Sequence, residues 1–100
     1  MNQFESVFRD GLFDGQVVLI TGGGSGIGRC TAHELASLGA NVAIVGRKLE
    51  KLETVQAEIS ETCPVKVTVH SCDIRDEDKV AQMVGEVLQA HGKIDHLINN

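Results

Sequence analysis

The chain has 100 residues, 42% hydrophobic and 23% charged, which excludes collagen-like, fibrous and wholly disordered architectures and amounts to roughly one small domain. Nine basic against 14 acidic residues give a net charge of −5; with no basic stripe and no Tyr or Trp to stack on bases, a nucleic-acid partner is not expected. Three cysteines, Cys30, Cys63 and Cys72, lack CxxC spacing and point to a reducing, cytoplasmic setting, and no stretch reaches the ~20 apolar residues of a membrane span.

Residues 1–15 read as an N-terminal arm. Phe4, Val7 and Phe8 fall at helical spacing and are expected to cap an edge of the core. Gln16–Thr21 is a short β-branched apolar run followed by glycines, the mark of a strand buried on both faces. Ile27, Cys30, Leu35 and Leu38 then mark the inner face of a first helix that stops at Gly39. Asn41–Val45 is a second strand. Leu49, Leu52, Val55 and Ile59 give a second helix, ending before Pro64, and Val65–Ser71 a third strand. Asp76 caps a third helix with Val80, Met83, Val84, Val87 and Leu88 on one face, and Gly92 ends it. Ile94–Asn99 is a fourth strand. The order β-α-β-α-β-α-β implies an α/β, Rossmann-type doubly wound parallel sheet over residues 16–100, with strand order 3-2-1-4. It reads as the first half of a larger domain, cut after the fourth strand.

The most informative segment is Thr21-Gly22-Gly23-Gly24-Ser25-Gly26-Ile27-Gly28, in the pattern TGxxxGxG between a buried strand and a helix. Glycine admits positive φ and close backbone approach, and a helix N-terminus offers free N–H groups to phosphate. Gly22, Gly24, Ser25, Gly26, Ile27 and Gly28 are therefore candidate cofactor contacts; the plain alternative is a flexible turn. A side chain at Gly26 or Gly28 is expected to block binding and leave the sheet intact. No Gly-Lys-Ser/Thr follows, which excludes a Walker A loop. At the end of the second strand, where an NAD-preferring domain carries Asp or Glu, stands Gly46, followed by Arg47 and Lys48. A guanidinium and an ammonium there suit the 2′-phosphate of NADP, unless they are only solvated residues at a helix start. NAD is the less favoured cofactor. His33, His70, His91 and His96 form no metal-ligand spacing, and no metal site is expected. Cys30 and Cys72 are expected to pack as small apolar residues. In the acidic run from Asp73 to Asp78, Asp73 is either a turn residue or a cofactor contact, and the rest a solvated helix start.

TGGGSGIG after the first strand, CDI after the third and INN at the end of the fourth resemble the short-chain dehydrogenase/reductase family from about Leu12 to Asn100. The resemblance implies that Gly22, Gly26 and Gly28 shape the turn around the cofactor, and that Ser25 neighbours the adenosine ribose. It puts Ile27 by the pyrophosphate and nicotinamide side. Asp73 would accept from the adenine amino group, with the Ile74 backbone beside it, and Asn99 would hold the fourth strand next to a cofactor ribose. It implies an NADPH-dependent oxidoreductase working as a homo-oligomer, a tetramer in the family. The family's acid machinery is a Tyr and a Lys, usually with a Ser; this chain has no Tyr, so no catalytic residue is assigned in it. VGRKLEKLETVQAEI, SCDIRDEDKV and GKIDHLINN are most similar to the branch of trans-2-enoyl-CoA and 2,4-dienoyl-CoA reductases of fatty acid metabolism, making an acyl-CoA thioester the expected substrate. A 3-oxoacyl or other carbonyl reductase, and a non-catalytic dinucleotide-binding module, are the alternatives.

Overall fold

The computed structural model describes residues 7–100. Four strands and three helices alternate: β1 (Val17–Thr21), α1 (Gly26–Ser37), β2 (Asn41–Gly46), α2 (Leu49–Thr62), β3 (Val67–Ser71), α3 (Glu77–His91) and β4 (His96–Ile98). All pairings are parallel and the spatial order is β3-β2-β1-β4. Val17 to Thr21 pair with Asn41 to Val45, and Val18 to Ile20 with His96 to Ile98. Of the predicted fourth strand, Ile94–Asn99, only His96 to Ile98 enter the ladder.

The order follows from handedness. The β1-α1-β2 and β2-α2-β3 crossovers run in one direction, so right-handed connections put α1 and α2 on the same face. The third crossover returns to the far side of β1, and right-handedness then sends α3 to the opposite face. Two cores result. Val18, Ile20, Val42 and Ile44 meet Ala32 and Ala36 of α1 and Leu52, Val55 and Ile59 of α2. On the other face Leu19, Ala43 and Val45 meet Met83 and Val87 of α3. The two central strands carry unbroken apolar runs, Val17 to Ile20 and Val42 to Val45, because both of their faces are covered.

Three expectations about packing change. Of the arm, Phe4 lies outside the described residues, while Val7 and Phe8 are exposed. The arm reaches the core through Phe13, which packs against the α1–α2 side; its N–H donates to the Leu38 carbonyl at 2.9 Å. On α1 the buried residues are Gly28, Ala32, His33 and Ala36, whereas Ile27 is 76% exposed and Cys30 is exposed. A helix that lies close to a sheet needs small side chains on its inner face, so the bulkier Ile27 and Cys30 turn outward. On α3 Met83 and Val87 are buried, Val80 and Val84 are half-buried and Leu88 is exposed. Only the centre of the apolar stripe is fully covered.

The predicted stops hold. The Asp76 carboxylate accepts from the N–H groups of Asp78 and Lys79, satisfying two free amides at the start of α3. Gly92 ends it at φ 80°, and Gly39, at φ 98°, follows α1.

Candidate functional site

Because every strand is parallel, the C-terminal ends of all four open on one side of the sheet. There Thr21 and Gly22 after β1, Val45, Gly46 and Arg47 at β2, Cys72 to Arg75 after β3 and Asn100 after β4 surround a cavity of about 380 Å³. It adjoins the point between β1 and β4 where the winding direction reverses, the place where open α/β sheets bind ligands. A second concavity, of about 510 Å³, lies at the opposite end of the sheet, beside Asp14, Asn41 and Cys63.

Of the residues the sequence singled out, Gly22, Arg47, Asp73 and Ile74 line the cavity. Ser25, Gly26 and Ile27 form the exposed start of α1. Ser25 occupies the N-cap position, yet its side chain makes no capping hydrogen bond. Gly24 sits against Lys51 and Leu52 of α2. Lys48 holds the N-cap position of α2 and is exposed. Asn99 lies just beyond β4, where its Oδ1 accepts from the Thr21 hydroxyl at 3.1 Å.

Gly26 and Gly28 prove to be different positions. Gly26 has φ +57°, and a Cβ built on it would meet nothing within 4 Å. Gly28 has an ordinary helical backbone, but a Cβ there would lie 2.1 Å from the Gly22 carbonyl oxygen and 2.8 Å from the Asn100 side-chain nitrogen. A side chain at Gly28 therefore runs into the backbone leaving β1, whereas one at Gly26 enters open space. Gly22, at φ +66°, is a true left-handed turn.

Thr21 and Asn100 are site residues that the motif reading passed over. The Thr21 hydroxyl accepts from the Asn100 N–H at 3.0 Å while donating toward Asn99, and the Asn100 side chain donates to the Gly22 carbonyl at 3.4 Å. These bonds tie the end of β4 to the start of the glycine loop. The β3–α3 turn is anchored in turn by the Cys72 N–H, which donates to the Gly46 carbonyl at 2.9 Å.

Asp73 carries the strongest electrostatic perturbation. Its Oδ1 accepts from both the backbone N–H and Nε of Arg75 at 3.0 Å, and its Oδ2 from Arg75 Nη2 at 2.9 Å. The Arg75 side chain, then its backbone N–H, hold the Asp73 carboxyl far below the usual carboxylate range, with a smaller contribution from Arg47. Asp73 is thus an ionised acceptor at neutral pH. Cys72 is buried as expected, and burial, followed by the neighbouring Asp73 charge, pushes its thiol upward, so it packs rather than reacts. Among the described residues no group of His, Cys, Asp or Glu has the placement of a metal site, and no helix is long and apolar enough to cross a membrane.

Residues 16–100 match the family described as short chain dehydrogenase. A citronellol catabolism dehydrogenase from Pseudomonas aeruginosa is 58% identical, with a TM-score of 0.93 over 97% of this chain and 40% of its own. A metagenomic short-chain oxidoreductase solved in complex with NADP is 40% identical (TM-score 0.80, 85% of this chain and 38% of its own), and an NAD⁺-bound xylitol dehydrogenase 37% identical (TM-score 0.83, 86% and 33%). A probable 2,4-dienoyl-CoA reductase from Caenorhabditis elegans is 41% identical over 94% of this chain. The chain spans 31% of that relative's length.

Proposed function

We propose that this chain, which belongs to the short-chain dehydrogenase family, is the dinucleotide-binding part, over residues 16–100 with a separate arm at 1–15, of an NADPH-dependent oxidoreductase. The end of β2 carries this reading. Gly46 replaces the carboxylate that would hold a ribose 2′-OH, and Arg47 follows it on the cavity rim. A side chain at Gly46 would also crowd Leu52, whose Cδ2 lies 3.3 Å from the Cβ position. The remaining residues fit the same group. The open space at Gly26, the close approach allowed by Gly22 and Gly24, and the first amides of α1 suit a pyrophosphate. Ile27 and Ser25 flank that start, Asp73 and Ile74 would take the adenine, Asn99 would lie by a ribose, and Arg47 with Lys48 would take the 2′-phosphate. When bound, the cofactor supplies a hydride from its nicotinamide ring. No residue of this chain is proposed as the proton donor.

For the substrate we favour an enoyl-CoA or dienoyl-CoA thioester, on the motif likeness and the dienoyl-CoA reductase relative. A second reading, oxidation of an alcohol of the citronellol type, is favoured by the 58% identity to a citronellol catabolism dehydrogenase. A cytoplasmic homo-oligomer belongs to the same proposal. The test follows nicotinamide absorbance in the protein that carries this segment. Crotonyl-CoA, a dienoyl-CoA and a 3-oxoacyl thioester are offered with NADPH or NADH, and citronellol with NADP⁺ or NAD⁺. Thioester reduction with NADPH preferred is the expected result. Equal or better use of NADH overturns the cofactor assignment. Turnover of the 3-oxoacyl thioester or citronellol alone moves the substrate to that class, and cofactor binding without any turnover identifies a non-catalytic module.

A further inference from the structure

The carboxylate assigned to the adenine does not stand free in the cavity wall. Asp73 has two oxygens with about four acceptor sites between them, and Arg75 occupies three: two on Oδ1, through its N–H and Nε, and one on Oδ2, through Nη2. One site on Oδ2 remains. Both residues line the cavity beside Ile74, and the turn that carries them is closed by the Asp76 N–H donating to the Asp73 carbonyl at 3.0 Å. We propose that Arg75 is a positioning residue for Asp73, its guanidinium fork fixing the carboxylate plane so that the remaining Oδ2 site faces the exocyclic amino group of the bound adenine. Arg75 thereby sets the base preference of the site without touching the base. This rests on the dinucleotide reading given above.

The physical argument is the geometry of the fork. A carboxylate held only by the backbone N–H of residue 75 is fixed at Oδ1 and can swing Oδ2 about that contact. The planar guanidinium adds a second anchor on Oδ2 and removes that freedom. The same contacts keep Asp73 ionised and therefore acceptor-only. Arg75 itself is largely exposed, with 76% of its side-chain surface accessible, so its replacement leaves no cavity.

Equilibrium titrations of NADPH and of its hypoxanthine analogue, whose 6-position carries oxygen in place of the amino group, test the proposal. The wild type should prefer NADPH by about tenfold or more, the value of one charge-assisted hydrogen bond. Arg75→Ala should reduce that preference to below about threefold by weakening NADPH alone, and Arg75→Lys, a point charge without the fork, should recover only part of it. Thermal unfolding checks that each variant is folded. Parallel weakening of both ligands, or an unchanged or greater preference for adenine in Arg75→Ala, overturns the positioning role. A wild type that binds both ligands equally overturns it too while leaving the cofactor reading intact. A wild type that binds neither overturns both.

Discussion

Adding one methyl group at Gly28 sets the helix against the strand it grows from. The new Cβ would stand 2.1 Å from the Gly22 carbonyl oxygen, whereas carbon and oxygen approach no closer than about 3.3 Å even in a weak C–H···O contact. The overlap of about 1.2 Å, the difference of those two distances, falls on backbone and cannot be relieved by a rotamer change. α1 must move away from the end of β1 and from the Asn100 side chain, whose nitrogen would lie 2.8 Å from the same Cβ. The cost should reach or pass the ~3 kcal/mol upper end of ordinary overpacking. Gly26→Ala meets no atom within 4 Å and pays only for its left-handed backbone, about 1–2 kcal/mol. Asparagine separates the two mechanisms, since it enters the left-handed region with little penalty. In urea unfolding, Gly26→Asn should recover much of the loss seen in Gly26→Ala, while Gly28→Asn should be at least as damaging as Gly28→Ala. The reasoning fails if Gly28→Ala lies within about 0.5 kcal/mol of wild type, the range of an ordinary surface substitution, or if asparagine rescues position 28.

Arg47→Ala should weaken NADPH by about 1.5–3 kcal/mol, or roughly 10- to 150-fold, and leave NADH nearly unchanged; equal losses in titrations of the two cofactors would remove the 2′-phosphate assignment. Asp76→Ala should cost about 1 kcal/mol in urea unfolding through the lost cap of α3, with no change in cofactor affinity. Glu58 joins α2 to α1 through Arg29 and His33, and the Arg29 hydrogen bond, more than that from His33, holds its carboxyl below the usual value. A depressed carboxyl contributes stability above its unfolded pKa of about 4.3 and loses it as pH falls through the folded value. Glu58→Gln should therefore be less stable than wild type at neutral pH, with the gap closing below about pH 4; a gap that stays constant from pH 7 to 3 would contradict the linkage.

The alternation of apolar strands and amphipathic helices, the caps at Asp76 and Gly92, and the order of strands were all legible in the sequence. Each depends on local period, local hydrogen bonding or the handedness of a connection. The glycine-rich turn, the missing carboxylate at Gly46 and the basic pair after it are local in the same sense. What the sequence missed lies in contacts that no local pattern carries. On α1 the sequence placed Leu35 and Leu38 against the core correctly but misplaced Ile27 and Cys30, because hydrophobicity points to them whereas close approach to the sheet selects Gly28, Ala32 and Ala36. Thr21 and Asn100, 79 residues apart, meet only because β4 returns to lie beside β1. Gly26 and Gly28 look alike in a motif and differ in space, one set by a dihedral angle and the other by the carbonyl in front of it. Only tertiary structure decides such matters, because excluded volume and hydrogen-bond partners across the sheet depend on which chain ends the topology brings together.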